Sequence, residues 1–121
     1  MRFEFEGLDE LISKLEQKAE DVEKTKNEAL QEGAKVMQKA AQDKAPYRTG
    51  NLKRHIEISD IKDGEINVYV DQQGKAYYGY FQEFGTSKMR ARPFMGPAFN
   101  ASKFKIQRVM ADRIRRRLMS P

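Results

Sequence analysis

Ile56-Glu57-Ile58-Ser59-Asp60-Ile61-Lys62-Asp63-Gly64-Glu65-Ile66-Asn67-Val68-Tyr69-Val70 is the stretch on which the fold turns. At its start Ile56 and Ile58 share one face while His55, Glu57 and Ser59 share the other, the period of a half-buried strand. Asp63-Gly64 supplies two residues that tolerate positive φ, as a type I′ hairpin turn requires. The return strand is therefore expected over Glu65 to Val70, with Ile66, Val68 and Val70 inward. A further alternating piece, Arg2 to Glu6, puts Phe3 and Phe5 on one face and stops at Gly7. Together these imply an antiparallel sheet of three to four strands.

Outward from the hairpin the period changes to three and four. Leu8, Leu11, Ile12, Leu15, Ala19, Val22, Ala29, Leu30, Gly33, Val36, Met37, Ala40 and Ala41 predict one long helix that begins at Asp9, a possible N-cap. It ends near Ala45, because Pro46 disfavours the helical conformation in the residue before it. Gly33 puts a small residue on the apolar stripe, where another chain segment can approach closely or the helix can bend. Glu10/Lys14, Glu20/Lys24, Glu23/Lys26 and Glu32/Lys35 are spaced to pair on the outer face, at about 0.2–0.5 kcal/mol each. The glutamates therefore read as a solvated helix face, in preference to catalytic carboxylates or cation ligands. On the C-terminal side, Pro93 or Pro97 can open a last helix carrying Phe94, Ala98, Ala101, Phe104, Val109, Ile114 and Leu118. The expected architecture is α+β: a sheet of three to four antiparallel strands packed by a long N-terminal helix and a C-terminal helix, in a single domain spanning residues 1–121.

Composition narrows the chemistry. The 121 residues contain no Cys and one His, which removes disulfides, thiolate metal cages and a Cys nucleophile. His55 falls on the polar face of a strand with no G-x-S-x-G nearby, and the glycines form no phosphate cradle. No catalytic, cofactor-binding or metal site is expected, and the chain reads as a non-enzyme. Hydrophobic residues are 39% and charged residues 34%, a lean supply for a solitary core. Residues 1–46 hold 8 Lys/Arg against 11 Asp/Glu, whereas residues 47–121 hold 15 against 7. Such a split can attract nucleic acid, or join the acidic face of one copy to the basic face of the next. No stretch resembles a signal peptide or a membrane span, so synthesis and residence in a cytoplasm are expected, with no membrane partner.

A nucleic-acid reading has support of its own. Tyr77, Tyr78, Tyr80 and Phe81 lie close in sequence to Lys75, Lys88, Arg90 and Arg92, combining stacking surfaces with positive charge. Arg108, Arg113, Arg115, Arg116 and Arg117 could contact phosphates. The competing reading makes the aromatics core or interface and lets the arginines complement the C-terminal end of a helix dipole.

Two segments go beyond generic pattern. Ala45-Pro46-Tyr47-Arg48-Thr49-Gly50-Asn51-Leu52-Lys53-Arg54-His55-Ile56 is similar to an "AP-x-x-TG-x-LR-x-SI" segment, with Lys53 and His55 replacing its Arg and Ser. Tyr78-Gly79-Tyr80-Phe81-Gln82-Glu83-Phe84-Gly85-Thr86, followed by Arg92-Pro93-Phe94-Met95-Gly96-Pro97-Ala98, resembles "YA-x-x-x-EFGT…PF-x-x-PA". Both patterns are those of the HK97-type head–tail connection family of tailed phages, which comprises neck, tail-completion and minor tail proteins; the resemblance runs over roughly residues 8–118 in the family's element order. It implies a structural protein of a phage or prophage virion, made in the bacterial cytoplasm and forming an oligomeric ring at the head–tail junction. Its implied partners are itself, connector and tail proteins, and DNA passing through the lumen without sequence specificity; a tail-terminator-like cap on the tail tube is a variant within the same class. The motif residues expected to serve the subunit interface are Tyr78, Phe81, Glu83, Phe84, Gly85, Thr86, Arg90, Arg92, Pro93, Phe94 and Pro97, with Pro46, Thr49, Gly50 and Leu52 forming the turn motif. Phe81 and Phe84 would anchor the aromatic turn, Gly85 would end it, and residues 86–92 would form a mobile arm closed by Pro93 and Phe94.

Overall fold

A computed structural model describes residues 2–5, 7–45, 51–71 and 94–120. They form β1 (Arg2–Phe3), α1 (Asp9–Lys18), α2 (Val22–Lys44), α3 (Asn51–Arg54), β2 (Ile56–Ile58), β3 (Ile66–Val70) and α4 (Met95–Met119). The α+β class follows directly. The hairpin forms as its sequence demands: Asp63 and Gly64 take φ of 53° and 73°, and Lys62 and Glu65 exchange backbone hydrogen bonds of 3.0 Å. The strands pair Ile56 with Val70 and Ile58 with Val68, so one face of the hairpin is aliphatic. Ile56, Ile66 and Val68 are buried there, while Ile58 and Val70 are half-buried.

The sheet is smaller than the alternation suggests. It is essentially this hairpin, and β1 adds only two residues antiparallel to β3, through Arg2–Asn67 and Phe3–Ile66, in the order β1-β3-β2. Phe5 lies outside the strand, and no fourth strand occurs among the described residues. At the β2 edge, where an unpaired strand would invite association, the Gln38 side chain donates to the Ile56 carbonyl at 2.8 Å.

The expected single N-terminal helix is two helices. Ala19 is extended (φ −116°, ψ 145°), and Asp21 (φ −99°, ψ 43°) precedes α2. A continuous helix from Asp9 to Ala45 would be about 55 Å long, whereas α4, against which both pieces pack, is about 37 Å. The break lets α1 fold back on α4, and Leu15 becomes fully buried. The apolar spacing carries on through Ala19 and Val22, so periodicity gives no sign of this break. Asp9 is also not the cap: Leu8 holds that position, and Asp9 sits in the first turn, where its charge favours the helix dipole.

α2 is the spine. Ala29, Leu30, Ala34, Met37 and Ala41 recur on one stripe and meet both the hairpin and α4. Gly33 marks a close contact: a Cβ there would lie 2.8 Å from Met110 Sδ and 3.2 Å from Ile106 Cγ2. The close approach is thus made by side chains of α4, and α2 runs through Gly33 without interruption. On α4 the buried stripe is Phe94, Ala98, Ser102, Ile106, Met110 and Ile114, at four-residue steps from position 98. Ala101 and Phe104, expected on the apolar face, are exposed, Phe104 by 74%. The buried Ser102 hydroxyl, which hid this register in the sequence, donates to the Ala98 carbonyl at 2.6 Å. α4 begins at Met95, and Pro97 is its third residue, where the missing N–H would have lacked an intrahelical acceptor.

Candidate functional site

The two halves of opposite charge meet inside one subunit. Asp21 accepts a 2.6 Å hydrogen bond from Arg117 Nε, Glu28 pairs with Arg113, and both Glu32 oxygens lie 3.3 Å from Arg116 Nη2. These contacts tie Asp21 and the first half of α2 to the last third of α4. Arg117 holds the Asp21 carboxyl below the ordinary aspartate range, chiefly through that hydrogen bond. Arg115 is matched within its own helix by Asp112 at 3.2 Å.

This arrangement corrects two expectations. The acidic face of the N-terminal helix is not simply solvated: of the four pairs expected along it, only Glu23–Lys26 closes among the described residues, at 3.9 Å. Glu28 and Glu32 reach across to α4 instead. Likewise Arg113, Arg115, Arg116 and Arg117 are engaged by carboxylates, so of the five arginines expected to face phosphates only Arg108 is exposed without a carboxylate partner among the described residues. A clue was present in the sequence. Like charges at positions 28 and 32, and at 113, 116 and 117, make same-sign stripes that need a partner of the opposite sign.

The motif expected to serve the subunit interface is described only at its flanks. Before it, the Asp71 N–H donates to the His55 carbonyl at 2.7 Å, extending the hairpin ladder by one rung. After it, Phe94 is 2% exposed within the core, and its carbonyl accepts the Ala98 N–H at 2.9 Å. Phe94 therefore fixes α4 to the subunit's own interior, whereas Pro97 faces outward in the first turn. Leu52 belongs to α3, a single helical turn that the sequence reading missed. Pro46, Thr49 and Gly50, and Tyr78, Phe81, Glu83, Phe84, Gly85, Thr86, Arg90, Arg92 and Pro93, lie outside the described residues, as do Tyr77 and Tyr80.

Residues 9–85, from the start of α1 through the hairpin to the Gly85 of the second motif, match the family model described as "Bacteriophage HK97-gp10, putative tail-component". The chain belongs to this family. No curated protein and no solved structure matches it significantly. The HK97-gp10-like protein is thus a tail-related structural protein of a bacteriophage, with its place in the virion. The matched span takes in α1, α2, α3 and the hairpin, while Pro93 to Ala98 and α4 lie beyond it. Among the described residues, no helix of the HK97-gp10-like protein is long and apolar enough to cross a membrane.

Proposed function

We propose that this HK97-gp10-like protein is a single-domain, non-enzymatic subunit of an oligomeric ring at the head–tail junction. The ring serves tail completion and lets DNA pass through its lumen without sequence specificity. Its partners are further copies of itself and the connector and tail proteins above and below, joined in the virion after synthesis in the bacterial cytoplasm. The observation that carries this reading is the layout around the motif: its 22 residues, 72–93, leave from the hydrogen-bonded end of the hairpin and return at buried Phe94. A segment fixed at both ends to a packed core can rearrange on meeting a neighbour without unravelling the subunit. Tyr78, Phe81 and Phe84 supply the aromatic side chains, and Arg90 and Arg92 the cationic ones, that protein interfaces favour, with Glu83, Gly85 and Thr86 the remaining motif residues between them.

The pairing of acidic α2 with basic α4 withdraws charge asymmetry as support for head-to-tail joining, and the motif segment carries that role instead. Deleting residues 86–91 should leave a folded protein by circular dichroism that no longer forms rings in native mass spectrometry or electron microscopy. Rings formed as by the full chain would refute the proposal.

A further inference from the structure

Between the second half of α2 and the first third of α4 lies an open groove of about 660 Å³. Lys35, Lys39 and Lys44 stand along the α2 side and Lys105 on the α4 side, with Asp43 the one carboxylate in the lining among the described residues. All four lysines are exposed, and none is ion-paired to a carboxylate among the described residues. The contrast with the far end of the same helix pair is sharp, because there the arginines are neutralised by Asp21, Glu28, Glu32 and Asp112. Lys24, Lys103 and Arg108 are likewise exposed and without a carboxylate partner among the described residues, but the groove is where four such cations line one concave surface.

We propose that the groove is a sequence-independent contact for the sugar–phosphate backbone of double-stranded DNA. The inference deepens the proposed function and rests on DNA as the polymer that moves past the assembled subunits. From Lys35 to Lys44, α2 advances about 13.5 Å, the length over which one DNA strand presents about four phosphates. Lysine ammoniums are strongly hydrated point charges with no fixed fork, so they hold phosphate loosely and in many geometries. The floor, made of Val36, Ala40 and Ala101, has no side-chain donor for a base edge, and the Ser102 hydroxyl is already bound to Ala98. Contacts that position the backbone without reading bases suit a polymer that must slide.

The test is fluorescence anisotropy of a labelled duplex mixed with the full chain, at salt concentrations from about 50 to 200 mM, with native mass spectrometry run in parallel. Four phosphate contacts give a log–log slope of about −3.6, a loss of roughly a hundredfold in affinity over that range. In Lys39→Gln/Lys105→Gln the slope should weaken by about two units. Lys18→Gln/Lys24→Gln, at the end of α1 and the start of α2 and outside the groove lining, should keep the full slope, and two duplexes of unrelated sequence should bind alike. Absence of binding at the lowest salt would overturn the inference, as would an unchanged slope in the groove variant. Loss of self-association by the groove variant with DNA binding intact would also overturn it, assigning the groove to an acidic face of a second copy. Rings that form while DNA is ignored would sink the groove alone; groove-dependent DNA binding by a chain that never forms rings would sink the ring reading and keep the groove.

Discussion

Replacing Gly33 by alanine probes a point of close α2–α4 contact. The added Cβ would lie 2.8 Å from Met110 Sδ, 3.1 Å from Met110 Cγ and 3.2 Å from Ile106 Cγ2. Two effects oppose each other. Alanine favours the helical state over glycine by about 0.8–1 kcal/mol. Against that, Met110 is 1% exposed, so its thioether has no open space to retreat into, and overfilling a packed core costs typically about 1–3 kcal/mol. The clash outweighs the propensity, and Gly33→Ala should lose about 1 kcal/mol, or roughly 3–6 °C in melting midpoint for a chain of this size. The sign should reverse once the obstacle is removed. Met110→Ala alone costs about 2–5 kcal/mol through the cavity it leaves. Within that background, of these three contacts the one left is that with Ile106 Cγ2 at 3.2 Å, which a shift of a few tenths of an ångström relieves. There Gly33→Ala should stabilise by up to about 1 kcal/mol, giving a coupling of about 1–2 kcal/mol between the two positions. Urea unfolding followed by circular dichroism on the four proteins of the cycle measures it. If Gly33→Ala stabilises equally in both backgrounds, the glycine is not required by the approach of Met110 and the packing argument fails.

Three further outcomes are expected. Gly64→Ala should destabilise by about 1 kcal/mol in thermal melts although nothing lies within 4 Å of its Cβ position, because the φ of +73° strains an L-residue; full stability would mean that the turn relaxes freely. Asp21 has a lowered folded-state pKa, so its contribution is present above the ordinary aspartate value of about 4 and is lost as pH falls through the folded value. Acid titration of stability should therefore show a smaller loss below about pH 4 in Arg117→Ala than in the parent protein; identical profiles would dissociate the pair from stability. Phe104→Ser should shift the unfolding free energy by less than about 0.5 kcal/mol, as expected at a position 74% exposed, and a larger loss would place Phe104 in the core.

Legibility differed sharply between parts of the chain. The hairpin could be read because each of its determinants is local: alternation fixes which side chains share a face, and Asp63-Gly64 fixes the turn without help from the rest of the molecule. The helices could be read as helices, but not their breaks or faces. Ala19 to Asp21 contains no Pro or Gly and keeps the apolar spacing, and Ser102 interrupts the apparent stripe of α4 while Phe104 imitates one. The second family motif was legible as a pattern of residue types, and of its described members Phe94 is buried in the subunit's own core and Pro97 is exposed. The groove lysines escaped notice, since Lys35 and Lys39 look like any other exposed i,i+4 charges until Lys105 is brought beside them.

By itself, the sequence determined the α+β class, the hairpin register and membership of a phage tail family, because these rest on periodicity, turn chemistry and residue identity along the chain. Only the tertiary structure decided how its charges are used. Coulomb attraction acts through space, and folding α2 against α4 joins Asp21 to Arg117 and Glu28 to Arg113 across more than eighty residues of sequence. The same fold leaves the lysines at the other end without carboxylate partners among the described residues. A division between acidic and basic halves in the chain thus becomes, in the folded subunit, a neutralised end and a positive groove.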